Sequence, residues 1–185
     1  MTLTPKRRLL ALKLSILVLA IVAIATGSAA LIIHSINGMF TATNEFTNCT
    51  GMPSQKLANI STLLLVTSAT MITGIFFGTC LAVLMIGWLL RREPNETIAA
   101  MKFRVPTYLL AAISLLAMSL AFGYYLSFVL DDMRVGCQSV YNVNLPQIIL
   151  LGSSTIFMLM CLILCLALPK VLSESPYNDN RQTEF

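Results

Sequence analysis

The sequence predicts an all-α integral membrane protein, a four-transmembrane-helix bundle with cytosolic N- and C-termini. Three observations lead there. Of 185 residues, 57% are hydrophobic and 11% charged, against about 45–50% and about 25% in soluble domains; the mean hydropathy is +0.81. Four stretches approach or exceed the roughly 20 residues that cross a hydrocarbon core of about 30 Å, and none contains Asp, Glu, Lys, Arg or His. The basic residues, finally, gather in alternate loops.

Residues 1–13 form a basic amino-terminal segment carrying Lys6, Arg7, Arg8 and Lys13. The first span covers 14–33. Its "GSAA" end, with Ser28 and Ala30 as small residues, also fits a secretory signal cleaved after Ala30. The apolar run continues through Leu31, Ile32 and Ile33, which makes it span-length and favours a retained helix. An outer loop, 34–62, follows, and the second span covers 63–90. A basic cytosolic loop, 91–104, holds Arg91, Arg92, Lys102 and Arg104, and the third span covers 105–130. Pro106 and Pro146 are expected near helix starts, where a missing N–H costs little, and Pro169 at a helix end. A second outer loop, 131–146, leads to the fourth span, 147–168, and a polar tail, 169–185. With Lys170 and Arg181 in that tail, only Lys56 and Arg134 remain for the outer loops. By the positive-inside rule both termini and the middle loop face the cytosol. The net charge of +4 is then a topology signal, with basic flanks attracted to anionic headgroups, and no nucleic-acid partner is expected.

Of the five cysteines, Cys49 and Cys137 sit in the two loops predicted to be outside, where disulfides form. Their pairing would staple the outer loops together, with free thiols or an intermolecular bond as the alternatives. Asn48 and Asn59 begin N-x-[ST] glycan acceptors on the same side; a disulfide at the adjoining Cys49 competes with a glycan on Asn48, and the second span beside Asn59 hinders access of the transferase. Asn95 begins another in the cytosolic loop and is expected to stay unmodified. Cys80, Cys161 and Cys165 lie within spans, where a thiol packs as a small hydrophobe; Cys165, near the cytosolic boundary, is a palmitoylation candidate.

Small residues four apart mark helix packing, because close backbone approach replaces the hydrophobic drive that lipid removes. The second span offers Gly74, Gly78 and Ala82; the first offers Ala23 and Gly27; the third offers Ser119 with Gly123 and Ala117 with Ala121. Packing within one bundle is expected ahead of a dimer face. Thr67, Ser68, Thr70, Thr73, Ser153, Ser154 and Thr155 add hydroxyls, which are expected to bond carbonyls one turn back. Trp88, Tyr124 and Tyr125 are expected as interfacial anchors, and His34 as an interfacial residue touching headgroups.

Catalysis, haem or quinone chemistry and proton relays need grouped ionisable side chains. The spans supply none, so no enzyme, cofactor or metal site is expected. The final Thr183 and Phe185 fit the pattern that adds as a strand to a PDZ groove, which makes a cytosolic PDZ protein a candidate partner. Span order and sidedness resemble those of four-span membrane organisers: claudin-like and peripheral-myelin-like proteins, tetraspanins and MARVEL-type proteins. The first outer loop has one Cys and no Trp, and Gly136-Cys137 lies in a short second loop without the Cys-Cys-Gly of tetraspanins, so no family is assigned. The expected function is non-enzymatic: lateral association with other membrane proteins or with itself, as an organiser, auxiliary subunit, or trafficking or adhesion partner, in the secretory pathway and at the plasma membrane. A small oligomeric channel or transporter subunit is the alternative.

Overall fold

A computed structural model describes residues 5–40, 54–91, 96–134 and 138–173. All but one of these residues are α-helical: α1 (Pro5–Phe40), α2 (Ser54–Leu90), α3 (Glu96–Arg134) and α4 (Gln138–Ser173). Each helix contains a segment long and apolar enough to cross a membrane: Arg7–Ile36, Leu65–Leu90, Lys102–Ser127 and Leu145–Leu168. At 1.5 Å per residue the 36 residues of α1 extend about 54 Å, well beyond a hydrocarbon core of about 30 Å.

The helices therefore outrun the apolar stretches that announced them. Pro106 lies inside α3 and not at its start. Pro146 and Pro169 lie within α4. At Pro106 the missing N–H leaves one carbonyl of the preceding turn without its helical donor, and next to it the Thr107 hydroxyl donates to Phe103 O at 2.6 Å.

Each helix packs against its neighbour in sequence, and α4 returns to α1, closing a four-membered ring. Named contacts set an antiparallel register. Between α1 and α4, Ile16 meets Cys161, Ala23 meets Ser154 and His34 meets Gln147. Between α2 and α3, Gly74 meets Ser114 and Trp88 stacks on Phe103. Gly27 faces Ile75 and Gly78 faces Ile24 across α1 and α2, and Gly152 meets Phe122 across α4 and α3.

The buried positions alternate three and four residues apart on every helix. On α1 they are Leu9, Lys13, Ile16, Ala20, Ala23, Gly27, Ala30 and His34; on α4 they are Gln147, Leu151, Ser154, Met158, Cys161, Cys165 and Leu168. α2 and α3 repeat the pattern through Thr67, Met71, Gly74, Gly78, Leu81, Met85 and Trp88, and through Thr107, Ala111, Ser114, Met118, Ala121 and Tyr125. A repeat of seven is shorter than two turns of an α-helix, so keeping such a seam facing inward winds the helices left-handedly at about 20°. The faces are sorted by size and polarity. Ala23, Gly27, Gly74, Gly78, Ser114, Ser154, Met71, Met85, Met118 and Met158 point in, while Leu65, Phe76, Val83, Leu116 and Ile149 point out and are each at least 60% exposed. A helix that is apolar on its outer face suits a solvent of lipid chains.

Candidate functional site

The groups that carry chemistry lie on the inward seam, at three levels along the bundle axis. The middle level is made by glycine. A Cβ placed on Gly74 would stand 2.9 Å from Met118 Cγ, and one on Gly27 would stand 2.8 Å from Met118 Cε. A Cβ on Gly78 would stand 2.8 Å from Met158 Cε and 3.2 Å from Ile24 Cγ1. Met118 and Met158 thus cross the axis to fill the space the glycines vacate, a role that suits a flexible unbranched side chain. Ala23, Gly27, Gly74, Gly78 and Ala82 are all buried within this one chain. Ala117 and Ala121 also face inward, whereas Ser119 and Gly123 face outward.

Two hydroxyls bind neighbouring helices at this level: Ser114 Oγ donates to Gly74 O and Ser154 Oγ donates to Ala23 O, both at 2.8 Å and both buried. The Cys161 thiol lies 3.6 Å from Ile16 O in the same sense. Other hydroxyls bond one turn back along their own helix, including Thr70 to Val66 O, Thr73 to Ala69 O, Ser153 to Leu150 O and Thr155 to Leu151 O. The difference is positional, since Ser114 and Ser154 sit on the seam and reach a carbonyl across a narrow gap.

Toward the end of the bundle that bears Arg7 and Arg91, Lys13 Nζ stands 4.3 Å from the centroid of the Trp88 ring. Trp88 in turn stacks on Phe103 with centroids 5.6 Å apart and planes 14° from parallel. Lys13 is 9% and Trp88 2% exposed. Trp88 is turned inward and not toward headgroups, which corrects the expectation of an interfacial anchor, and Lys13, the last residue of the basic amino-terminal segment, lies on the inward face of α1. A cation over the electron-rich face of an indole keeps a favourable partner while its stem is buried.

At the opposite end Gln147 Nε2 lies 2.9 Å from His34 Nδ1, and the His34 and Tyr125 rings meet edge to face at 5.9 Å. All three are nearly inaccessible, with Gln147 at 0%. His34 is therefore a packed core histidine, contrary to the expectation of an interfacial one, and Tyr125 is likewise inward; Tyr124 beside it is exposed. With the amide donating, His34 Nδ1 accepts and the imidazole proton sits on Nε2. Gln147 Oε1 is then buried without a hydrogen-bond partner. Reversing the amide would satisfy the oxygen from a protonated Nδ1 and strand the NH2 group instead.

That geometry gives a stability prediction. Gln147 with a leucine in place of His34 has a wholly unpaired buried amide, which is expected to cost about 1–3 kcal/mol. His34→Leu and Gln147→Leu should each lower the midpoint of detergent-induced unfolding, and the double substitution should recover most of the loss. Strictly additive losses would show that the two side chains are not coupled.

Cys165, the palmitoylation candidate, is 4% exposed and turned into the core beside Cys161. An acyl transferase working at the membrane surface would act on it only with the thiol turned outward. Among the described residues Cys80, Cys161 and Cys165 are free thiols, and no group of three His, Cys, Asp or Glu side chains is placed to hold a metal ion. Cys49, Cys137, Asn48, Thr183 and Phe185 lie outside the described residues, and Asn59 falls in α2 where its side chain is not described. No family model, curated protein or solved structure matches the chain. The described residues form a four-helix bundle compatible with a multi-pass membrane protein.

Proposed function

We infer that the protein is a non-enzymatic four-span membrane protein that acts by lateral association, as an organiser or auxiliary subunit of other membrane proteins. The observation that carries this reading is how the two kinds of surface are used. The inward seam spends its glycines, hydroxyls, His34 and Gln147 on holding the four helices together, and Met118 and Met158 fill the axis. What each helix offers to its surroundings is a lipid-type surface of large aliphatic and aromatic side chains. In lipid such a surface associates through shape and small local features, with no general hydrophobic drive. The exposed Ser119 and Gly123 on α3 provide one such feature. Met118 and Met158 on the axis speak against a pore through a single chain.

In this reading both termini and the middle loop lie in the cytosol, as their basic residues favour. A Cys49–Cys137 disulfide ties the outer loops, Asn48 and Asn59 are open to glycosylation, and Thr183 and Phe185 offer the tail to a PDZ protein. The secretory pathway, ending at the plasma membrane, is the compartment consistent with those features.

Photo-crosslinking residues placed at Phe76 on α2, Leu116 on α3 and Ile156 on α4, all exposed, test the association reading in native membranes. Adducts of protein mass from one face and lipid adducts from the others are expected. Lipid adducts alone from every face, together with ion conductance of the purified chain in planar bilayers, would replace this reading with a channel.

A further inference from the structure

We propose that the outer face of the α1–α4 pair holds one anionic phospholipid, an acyl chain lying in a groove between the helices and the phosphate engaging Arg7 and Arg8. The groove has a volume of about 600 Å³ and is walled by Leu14, Val18 and Leu19 of α1 and by Met160, Ile163 and Leu164 of α4, with Ser15 in its α1 wall. It opens outward, since Leu14, Val18, Met160 and Ile163 are each at least 50% exposed.

The charge at one end of the groove selects the occupant. Residues seven or eleven apart fall on one stripe of a helix. Arg7 therefore shares its stripe with Leu14 and Val18, and Arg8 shares its stripe with Ser15 and Leu19. Both arginines are exposed and begin about 10 Å beyond the groove's first residues, at 1.5 Å per residue.

An apolar groove between two helices, headed by guanidinium groups, matches an acyl chain joined to a phosphate. Arg binds phosphate through paired N–H donors, and basic residues at a membrane surface favour anionic lipid. An apolar partner helix would gain nothing from the arginines, and a free phosphate would gain nothing from the groove.

Native mass spectrometry of the full chain, purified in detergent and titrated with dioleoylphosphatidylserine or dioleoylphosphatidylcholine, tests this. One phosphatidylserine is expected to be retained on the order of tenfold more tightly than phosphatidylcholine, from two cationic contacts. Arg7→Gln with Arg8→Gln should abolish the preference, and Ser15→Trp, which fills the groove, should release the lipid. Val83→Trp, an equally bulky change on the exposed face of α2, should leave binding intact. Glycerol 3-phosphate, lacking chains, should not compete. Each variant is first checked for wild-type helicity by circular dichroism. Phosphatidylserine retention unchanged by Ser15→Trp, or unchanged by loss of both arginines, would overturn the assignment, as would displacement by glycerol 3-phosphate.

Discussion

Gly74→Leu is expected to unfold or rearrange the bundle, because the added side chain has to enter where Met118 already lies. The clash begins at Cβ, 2.9 Å from Met118 Cγ and 3.1 Å from Met118 Sδ. A methionine can swing its terminal methyl aside, yet Cγ moves only by a change of χ1, for which a helix allows two common rotamers, or by a shift of α3. Overpacking of this kind costs about 1–3 kcal/mol for a few methylenes, and more when a whole isobutyl group is forced between helices. Gly78→Ala should be milder, since its nearest obstacle is the mobile Met158 Cε at 2.8 Å. Gly87→Leu and Gly123→Leu, where nothing lies within 4 Å, should change stability by no more than about 0.5 kcal/mol. Unfolding titrations from mild detergent into sodium dodecyl sulfate rank the four variants. Equal losses at Gly74 and Gly123 would show that the described seam is not the packing surface.

The second large effect is expected at Trp88→Ala. Trp88 is the largest fully buried side chain of the chain's described residues and belongs to the core formed by Leu9, Ile16, Leu81, Met85 and Leu168. Removing it leaves a cavity and strips the aromatic face from both Lys13 and Phe103. Core Trp→Ala changes cost about 3–5 kcal/mol, and the loss of a partly desolvated cation–π contact adds about 1–2 kcal/mol. Trp88→Phe keeps a ring above which Lys13 can sit and should recover more than half of the loss. Thermal unfolding followed by circular dichroism separates the cases. A Trp88→Ala variant as stable as wild type would place Trp88 at a lipid surface and not in the core.

The four spans were legible because a run of about 20 uncharged residues has few meanings. The inward faces were harder to read, for a physical reason: both faces of each helix are apolar, so hydrophobicity does not tell inside from outside. Size and polarity do. Ala20, Ala23, Gly27 and Ala30 on α1, or Ser154 and Cys161 on α4, follow the alternating spacing of three and four that marks a seam. Ser114 does not stand out in sequence, because α3 also carries Ser119 and Ser127 and nothing marks which serine finds a partner across the bundle; its spacing of three from Ala111 and four from Met118 is the available signal. Residue type alone suggests a membrane surface for His34, Trp88 and Tyr125. Each lies at the end of an apolar stretch, where an interfacial role and an inward one look alike. One more step of the seam in each direction separates the two roles, since Lys13 precedes Ile16 by three and His34 follows Ala30 by four. The groove headed by Arg7 and Arg8 was beyond sequence reading, because its second wall comes from the far end of the chain.

The most direct test of a four-span bundle with its arginine-bearing ends on one side is thiol accessibility in sealed vesicles. Single cysteines are introduced at Arg8, Ser35, Thr62 and Arg91, all exposed, in a chain whose native cysteines are replaced. A membrane-impermeant maleimide is then added before and after permeabilisation. In right-side-out vesicles Ser35→Cys and Thr62→Cys should react at once, and Arg8→Cys and Arg91→Cys only after the membrane is opened. Reaction of all four from the same side of an intact membrane would contradict the four-span arrangement.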